Sequence, residues 1–274
     1  MTDEAGKSTG QDVTGDLEIH RQEENTDKAS KNSLIDGLRG AGKITDQYAN
    51  LLRSIHTSTF GAEGASLSKV KAVIALKETL GNNGIAQKHA AYIGSGLDWH
   101  FPVALGARDI AMIDPMYQNP EDRQRLLKSV REFDPEAKID GEEDLLINFA
   151  VDIGEGMENV TLHLDKTDVN TYEPQLPLGF VLEFRGPSAI KSNVPILENI
   201  ARGMADDGLV LNFDYIHEAQ YTPDIGMEEI GREGFRLYRV TNQNKLIDSS
   251  MEVVAPPELS LDVLQTVLKS RQKK

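Results

Sequence analysis

The sequence predicts an α/β protein of three layers, a mostly parallel sheet between helices, preceded by a segment that is helical throughout. Three observations predict it. From about residue 87 onward short apolar runs alternate with helical patterns, as parallel strands joined by right-handed crossovers require. One of these runs ends in Gly94-Ser95-Gly96 just before a helical stretch, where missing side chains allow a tight turn and close approach to the backbone. Between residues 33 and 86 the apolar positions instead recur at helical spacing.

Composition supports a folded chain and removes several chemistries. Of the 274 residues 39% are hydrophobic, enough for a substantial core, and the length suits one large domain or two small ones. The 44 acidic against 29 basic residues leave a formal charge of −15, which repels phosphate backbones and anionic membrane surfaces, so neither nucleic acid nor membrane is an expected partner. The absence of cysteine excludes disulfides, thiolate metal sites and cysteine nucleophiles. No apolar run reaches the roughly eighteen residues of a membrane span, and the first thirty residues lack the pattern of a signal peptide. A soluble, cytoplasmic protein is the default expectation.

Taken in order, residues 1–32 are acidic and amide-rich, with only Val13, Leu17 and Ile19 as core material, and read as a disordered acidic tail or a partner-binding segment. Residues 33–86 read as about three helices packing on the core, with Ser33 and Thr45 as caps. Residues 87–274 form the main domain. Its expected elements are a strand at His89–Ile93, a helix at Phe101–Leu105, a strand at Asp109–Ile113 and a helix at Glu121–Phe133. A hairpin of Leu145–Ile153 with Val160–Leu164 follows, across the turn GEGMEN. Phe180–Phe184 and Leu209–Phe213 read as strands around a helix at Val194–Met204. Met227–Arg232 reads as a short helix, Phe235–Val240 and Ile247–Val254 as a terminal strand pair, and Leu259–Leu268 as a closing helix.

The stretch that carries chemistry runs from His89 to Pro115. A strand enters Gly94-x-Gly96, a helix opens soon after with its free N–H groups, and Asp114 lies 20 residues beyond Gly94 at the end of the next strand. A carboxylate there can accept both hydroxyl hydrogens of a ribose. The same turn also serves as a purely structural corner in α/β folds. The acidic stretch 134–144 lacks the ligand spacing of a calcium loop, and no metal site is expected.

In these residues the chain resembles the class I S-adenosylmethionine-dependent methyltransferases, a Rossmann-like family, over about residues 88–254. Tyr92-Ile-Gly-Ser-Gly96 resembles the glycine-rich first motif, and Ile113-Asp-Pro115 the ribose-binding acidic motif. Leu162-His-Leu-Asp-Lys-Thr-Asp-Val169 is similar to the strand end whose acid contacts the adenine amine, with Asp168 as first choice and Asp165 as second. Phe180–Ser188, including Arg185, resembles the strand and loop beneath the transferred methyl group. The terminal strand pair fits the antiparallel edge that separates this fold from dinucleotide-binding ones. The resemblance implies S-adenosylmethionine as cofactor, held by Gly94, Ser95, Gly96, Asp98, Asp114, Pro115, Asp168 and Arg185.

The chain departs from the family at two places. Tyr92 stands where an acid is usual, and Asp98 where a third small residue is usual, next to the methionine amine or excluding a pyrophosphate. Methyl transfer asks for in-line positioning and sometimes a base; His217, Glu218 and Tyr92 are the candidates, while His100 and Trp99 beside the turn are better read as packing. Two other readings remain open at this point. One is a catalytically inactive binding or scaffold protein on the same fold, and the other an NAD-dependent oxidoreductase using the same turn and Asp114.

Overall fold

The computed structural model describes residues 13–55, 65–81, 85, 88–141, 145–153, 156–183, 196–212, 225–232 and 235–251. The polypeptide begins with three helices, α1 (Val13–Gly40), α2 (Asp46–Ser54) and α3 (Ala65–Leu80). It then alternates: β1 (His89–Ile93), α4 (His100–Ala104), β2 (Asp109–Ile113), a 3-10 turn (Pro115–Gln118), α5 (Pro120–Val130). Three strands follow, β3 (Lys138–Asp140), β4 (Leu145–Asp152) and β5 (Met157–Asp165), then β6 (Leu178–Glu183), α6 (Glu198–Gly203) and β7 (Met204–Asn212). The last described elements are β8 (Met227–Arg232), β9 (Arg236–Val240) and α7 (Gln243–Met251).

All nine strands join one sheet in the order β3-β4-β5-β2-β1-β6-β7-β9-β8. The five central strands, β5-β2-β1-β6-β7, are parallel. The expected hairpin is present as β4 and β5, antiparallel from Leu145↔Leu164 to Asp152↔Met157. Counted without β3 and β4, the order is 3-2-1-4-5-7-6. It differs from the dinucleotide-binding order 3-2-1-4-5-6 by an antiparallel strand, β9, slotted between β7 and β8. This is a Rossmann-like three-layer α/β fold with an antiparallel strand near the C-terminal edge.

One face of the sheet carries Tyr92, Met112, Leu182 and Leu211 under α1 to α5, and the other carries Ala91, Ile113, Val181 and Val210 under α6 and α7. The helical segment is fastened by specific contacts. Tyr48 of α2 donates to the Ala104 carbonyl at 2.8 Å, and Lys77 of α3 donates to the Ile153 carbonyl at 2.8 Å while lying 4.1 Å over the Tyr48 ring. None of the helices, among the described residues, is long and apolar enough to cross a membrane.

Three expectations need correction. Residues 13–32, expected in a disordered tail, are the first part of α1. Tertiary partners make the difference at its described end: Lys31, buried, donates to the Arg53 and Ile55 carbonyls at 2.9 Å, and Ser66 donates to Asp27 at 2.5 Å. Met227–Arg232 is a strand, not a helix. Its Met-Glu-Glu start suits a helix, but pairing with β9 overrides that local preference, and Glu228 meets Arg239 across the pair at 3.3 Å. Conversely, the stretch from Ile247 onward is helical as far as Met251. Asn242 accepts from the Lys245 N–H at 3.0 Å to start α7, and Leu246 and Ser250 fall on its buried side. The terminal strand pair is thus β8 with β9. The expected closing helix at 259–268 lies outside the described residues.

Candidate nucleoside site at the C-terminal edge

The sheet's switch point lies between β1 and β6, because the chain leaves β1 toward β2 on one side and returns to β6 on the other. A crevice outside the strand ends is built into such a reversal. Gly94 and Gly96 stand at its lip with φ of +64° and +53°, a left-handed conformation that glycine adopts without penalty. A Cβ built on either would meet no atom within 4 Å, so bare main chain floors open space there.

Asp114, at the end of β2, faces this turn. One carboxylate oxygen accepts from the Gly96 N–H at 2.9 Å and the other from the Met116 N–H at 2.9 Å, capping the 3-10 turn that Pro115 begins. Two backbone donors leave an ionised carboxylate with further lone pairs for a ligand's hydroxyls. Tyr117 locks the turn from below. Its hydroxyl donates to the Gly96 carbonyl at 2.5 Å and lies 2.9 Å from Ser95 Oγ, and burial pushes its pKa far up, so it stays protonated. Sequence reasoning missed Tyr117, although an aromatic three residues after the strand-end acid was a usable signal.

The remaining expected residues divide. Asp165 ends β5 beside Asp114, whose N–H donates to the Asp165 carbonyl at 3.1 Å. Asp168 is exposed two turns of chain further on, accepting from Asn170 within its own loop at 2.8 Å. Arg185, His217 and Glu218 lie outside the described residues. Asp98 does not project beside a ligand. It is 2% exposed, and its carboxylate holds the fully buried Lys69 of α3 at 2.5 Å. Tyr92 belongs to the same cluster, its hydroxyl accepting from Lys69 at 3.0 Å; burial first and Asp98 second raise its pKa, which removes it as a base. Trp99 and His100 are packing, as expected: Trp99 is buried, donates to Ser129 at 2.8 Å and stacks on the His100 ring at 4.0 Å.

On the far side of the switch point, Glu183 ends β6 and Asn212 ends β7, in one register row with Ile93 and Arg236. All three polar residues of this row are buried. A polar residue closing an apolar strand run, as in Phe-Val-Leu-Glu and Leu-Val-Leu-Asn, was the signal that sequence reasoning passed over.

No protein-family model and no curated protein matches this chain. Among solved structures it is similar to the N-methyltransferase NodS from Bradyrhizobium japonicum, at 9% identity over 63% of this chain and 96% of that one, with a TM-score of 0.37. It is also similar to the S-adenosylmethionine-dependent methyltransferase SibL in its apo form, at 11% identity over 76% and 72% of the two chains, TM-score 0.35. Coclaurine N-methyltransferase, solved with N-methylheliamine and S-adenosylhomocysteine, gives 8% identity over 74% and 58%, TM-score 0.34.

Proposed function

We propose that the C-terminal edge binds S-adenosylmethionine and that the protein transfers its methyl group to an acceptor. The observation that carries this reading is the Asp114 carboxylate aimed at a glycine turn whose outer side is open main chain. Gly94, Ser95 and Gly96 would floor the site, Asp114 would hold the ribose hydroxyls, and Pro115 fixes the turn that orients Asp114. Asp165, adjoining Asp114, is better placed than Asp168 for an adenine amine, since Asp168 is engaged in its own loop. When bound, the cofactor supplies an electrophilic methyl group on a cationic sulfur.

The chain's own part is positioning. Tyr117 and Ser95 keep the turn rigid. The antiparallel β9 speaks for this reading over a nicotinamide-dependent one, because the dinucleotide-binding order lacks it.

The test is ligand-induced stabilisation with S-adenosylmethionine, S-adenosylhomocysteine and NAD. At a hundredfold excess over Kd, S-adenosylhomocysteine should add about 2.7 kcal/mol to unfolding stability. Asp114→Ala should abolish the shift, and NAD should give none. A shift with NAD alone would make the protein an oxidoreductase candidate, and no shift with any of the three would leave a scaffold.

A further inference from the structure

On the sheet face that also carries α6 and α7, a groove of about 490 Å³ opens over β1, β2, β5 and β4. That size is in the range of small-molecule sites. Its walls are largely apolar, with Leu145, Leu164, Tyr172 and the half-exposed Leu176 among them. Two imidazoles, His89 and His163, also line it.

The imidazoles are organised by one carboxylate. Asp109 Oδ2 lies 2.8 Å from His89 Nδ1, and Asp109 Oδ1 lies 2.6 Å from His163 Nε2, with the two rings edge-to-face at 5.7 Å. An ionised carboxylate only accepts, so both named nitrogens carry a proton. In the neutral rings this assigns the lone pairs to His89 Nε2 and His163 Nδ1. Neither nitrogen makes a hydrogen bond among the described residues, and neither is sealed from solvent. A carboxylate behind an imidazole also stabilises the cation formed when that imidazole takes up a proton.

We propose that this groove is a second small-molecule site, selective for an apolar ring that bears a weakly acidic hydroxyl, a phenol. The phenol O–H bond is polarised toward the free nitrogen of His163 or His89. On full transfer the proton resides on that nitrogen, the electron pair stays on the phenolate oxygen, and Asp109 balances the imidazolium. An anionic ligand offers no proton to the free nitrogens, and it meets Asp165 as well as Lys166 on the groove wall. Among the described residues no set of three metal-ligating side chains is disposed to hold an ion, which points to proton rather than metal chemistry. The imidazole end of the groove is distinct from the glycine turn, since His89 and Gly94 stand at opposite ends of β1, about 16 Å apart along the strand, while Asp165 at the groove's other end adjoins Asp114.

The experiment is a titration of the whole protein with 4-nitrophenol, whose absorbance reports loss of its proton, and with 4-nitroanisole, which has no proton to give. Saturable binding of 4-nitrophenol with a more phenolate-like spectrum than the free probe at the same pH is expected. 4-Nitroanisole should bind about tenfold more weakly, and His163→Phe should weaken 4-nitrophenol by a similar factor. Leu176→Asp, on an exposed wall residue that the fold does not need, should weaken both probes. Asp114→Ala should change neither. Equal binding of the two probes, no effect of His163→Phe or Leu176→Asp, or no saturation would overturn the proposal. Saturable binding of Ni²⁺ alone that is lost in His163→Phe and competes with 4-nitrophenol would replace it with a metal site.

Discussion

Two charge clusters lie on opposite faces of the sheet, and they differ in their access to water. Lys69, Asp98 and Tyr92, on the face under the helical segment, are sealed: the Lys69 and Asp98 side chains are 0% and 2% exposed. On the other face His89 and His163, both held by Asp109, line a groove, and Asp109 and His163 are 42% and 40% exposed. Both rest on short contacts to a carboxylate, from α3 to the loop after Gly96 in the first and across β1, β2 and β5 in the second. The dry cluster has no route for a proton or a ligand and so acts as a clamp between α3 and the loop after Gly96. The wet one can exchange both.

The largest effect should come from breaking the dry cluster. Lys69→Met removes the ammonium 2.5 Å from the buried Asp98 carboxylate, which costs about 3–5 kcal/mol. Removing all three polar groups together, as Lys69→Met, Asp98→Leu and Tyr92→Phe, should recover most of that loss, because well-packed apolar replacements of a buried pair are often neutral. Urea unfolding of the single and triple variants measures both. A single variant as stable as the wild type would mean that water reaches Asp98 and that the contrast between the faces is false.

The wet cluster should show a smaller, pH-dependent effect. Hydrogen bonds from His163 and then His89 hold the Asp109 carboxyl well below the usual carboxylate range. A carboxylate whose pKa is lower in the folded state stabilises the fold at pH above its unfolded value, about 3.9, and loses that contribution as pH falls through the folded value. Asp109→Asn should therefore lower the Tm at pH 6 to 7, and the gap from wild type should narrow in scans below about pH 4. A gap that stays constant with pH would show that Asp109 acts through packing rather than charge.

The wet cluster is also where sequence reading fell short, and the reason is the same for both clusters. The glycine turn and Asp114 are legible because a left-handed turn and a strand-end carboxylate are local demands, each met within a few residues. Lys69 and Asp98 are 29 residues apart and meet only where α3 packs on the loop after Gly96, and Asp109 and His163, 54 apart, meet only through the register of the folded sheet. His163 sits two places before Asp165 in a run that reads simply as a strand. The misread pair at the C-terminal end has a different origin. Met227–Arg232 and the residues from Ile247 onward are short segments with few apolar residues, too short for spacing to separate strand from helix, and pairing with β9 and packing on the sheet decide.

A third ion pair gives the zero of this scale. Glu198 and Arg202, one turn apart on α6, meet at 2.6 Å with side chains 42% and 55% exposed. Two long side chains must be held in one arrangement in high dielectric, and salt screens what remains. Glu198→Gln should thus change stability by about 0.3–0.5 kcal/mol at most, and less in molar salt. Urea unfolding at low and high ionic strength reads both numbers. A loss that rivals the one at Lys69 would mean that contact length, rather than access to water, ranks the ion pairs of this fold.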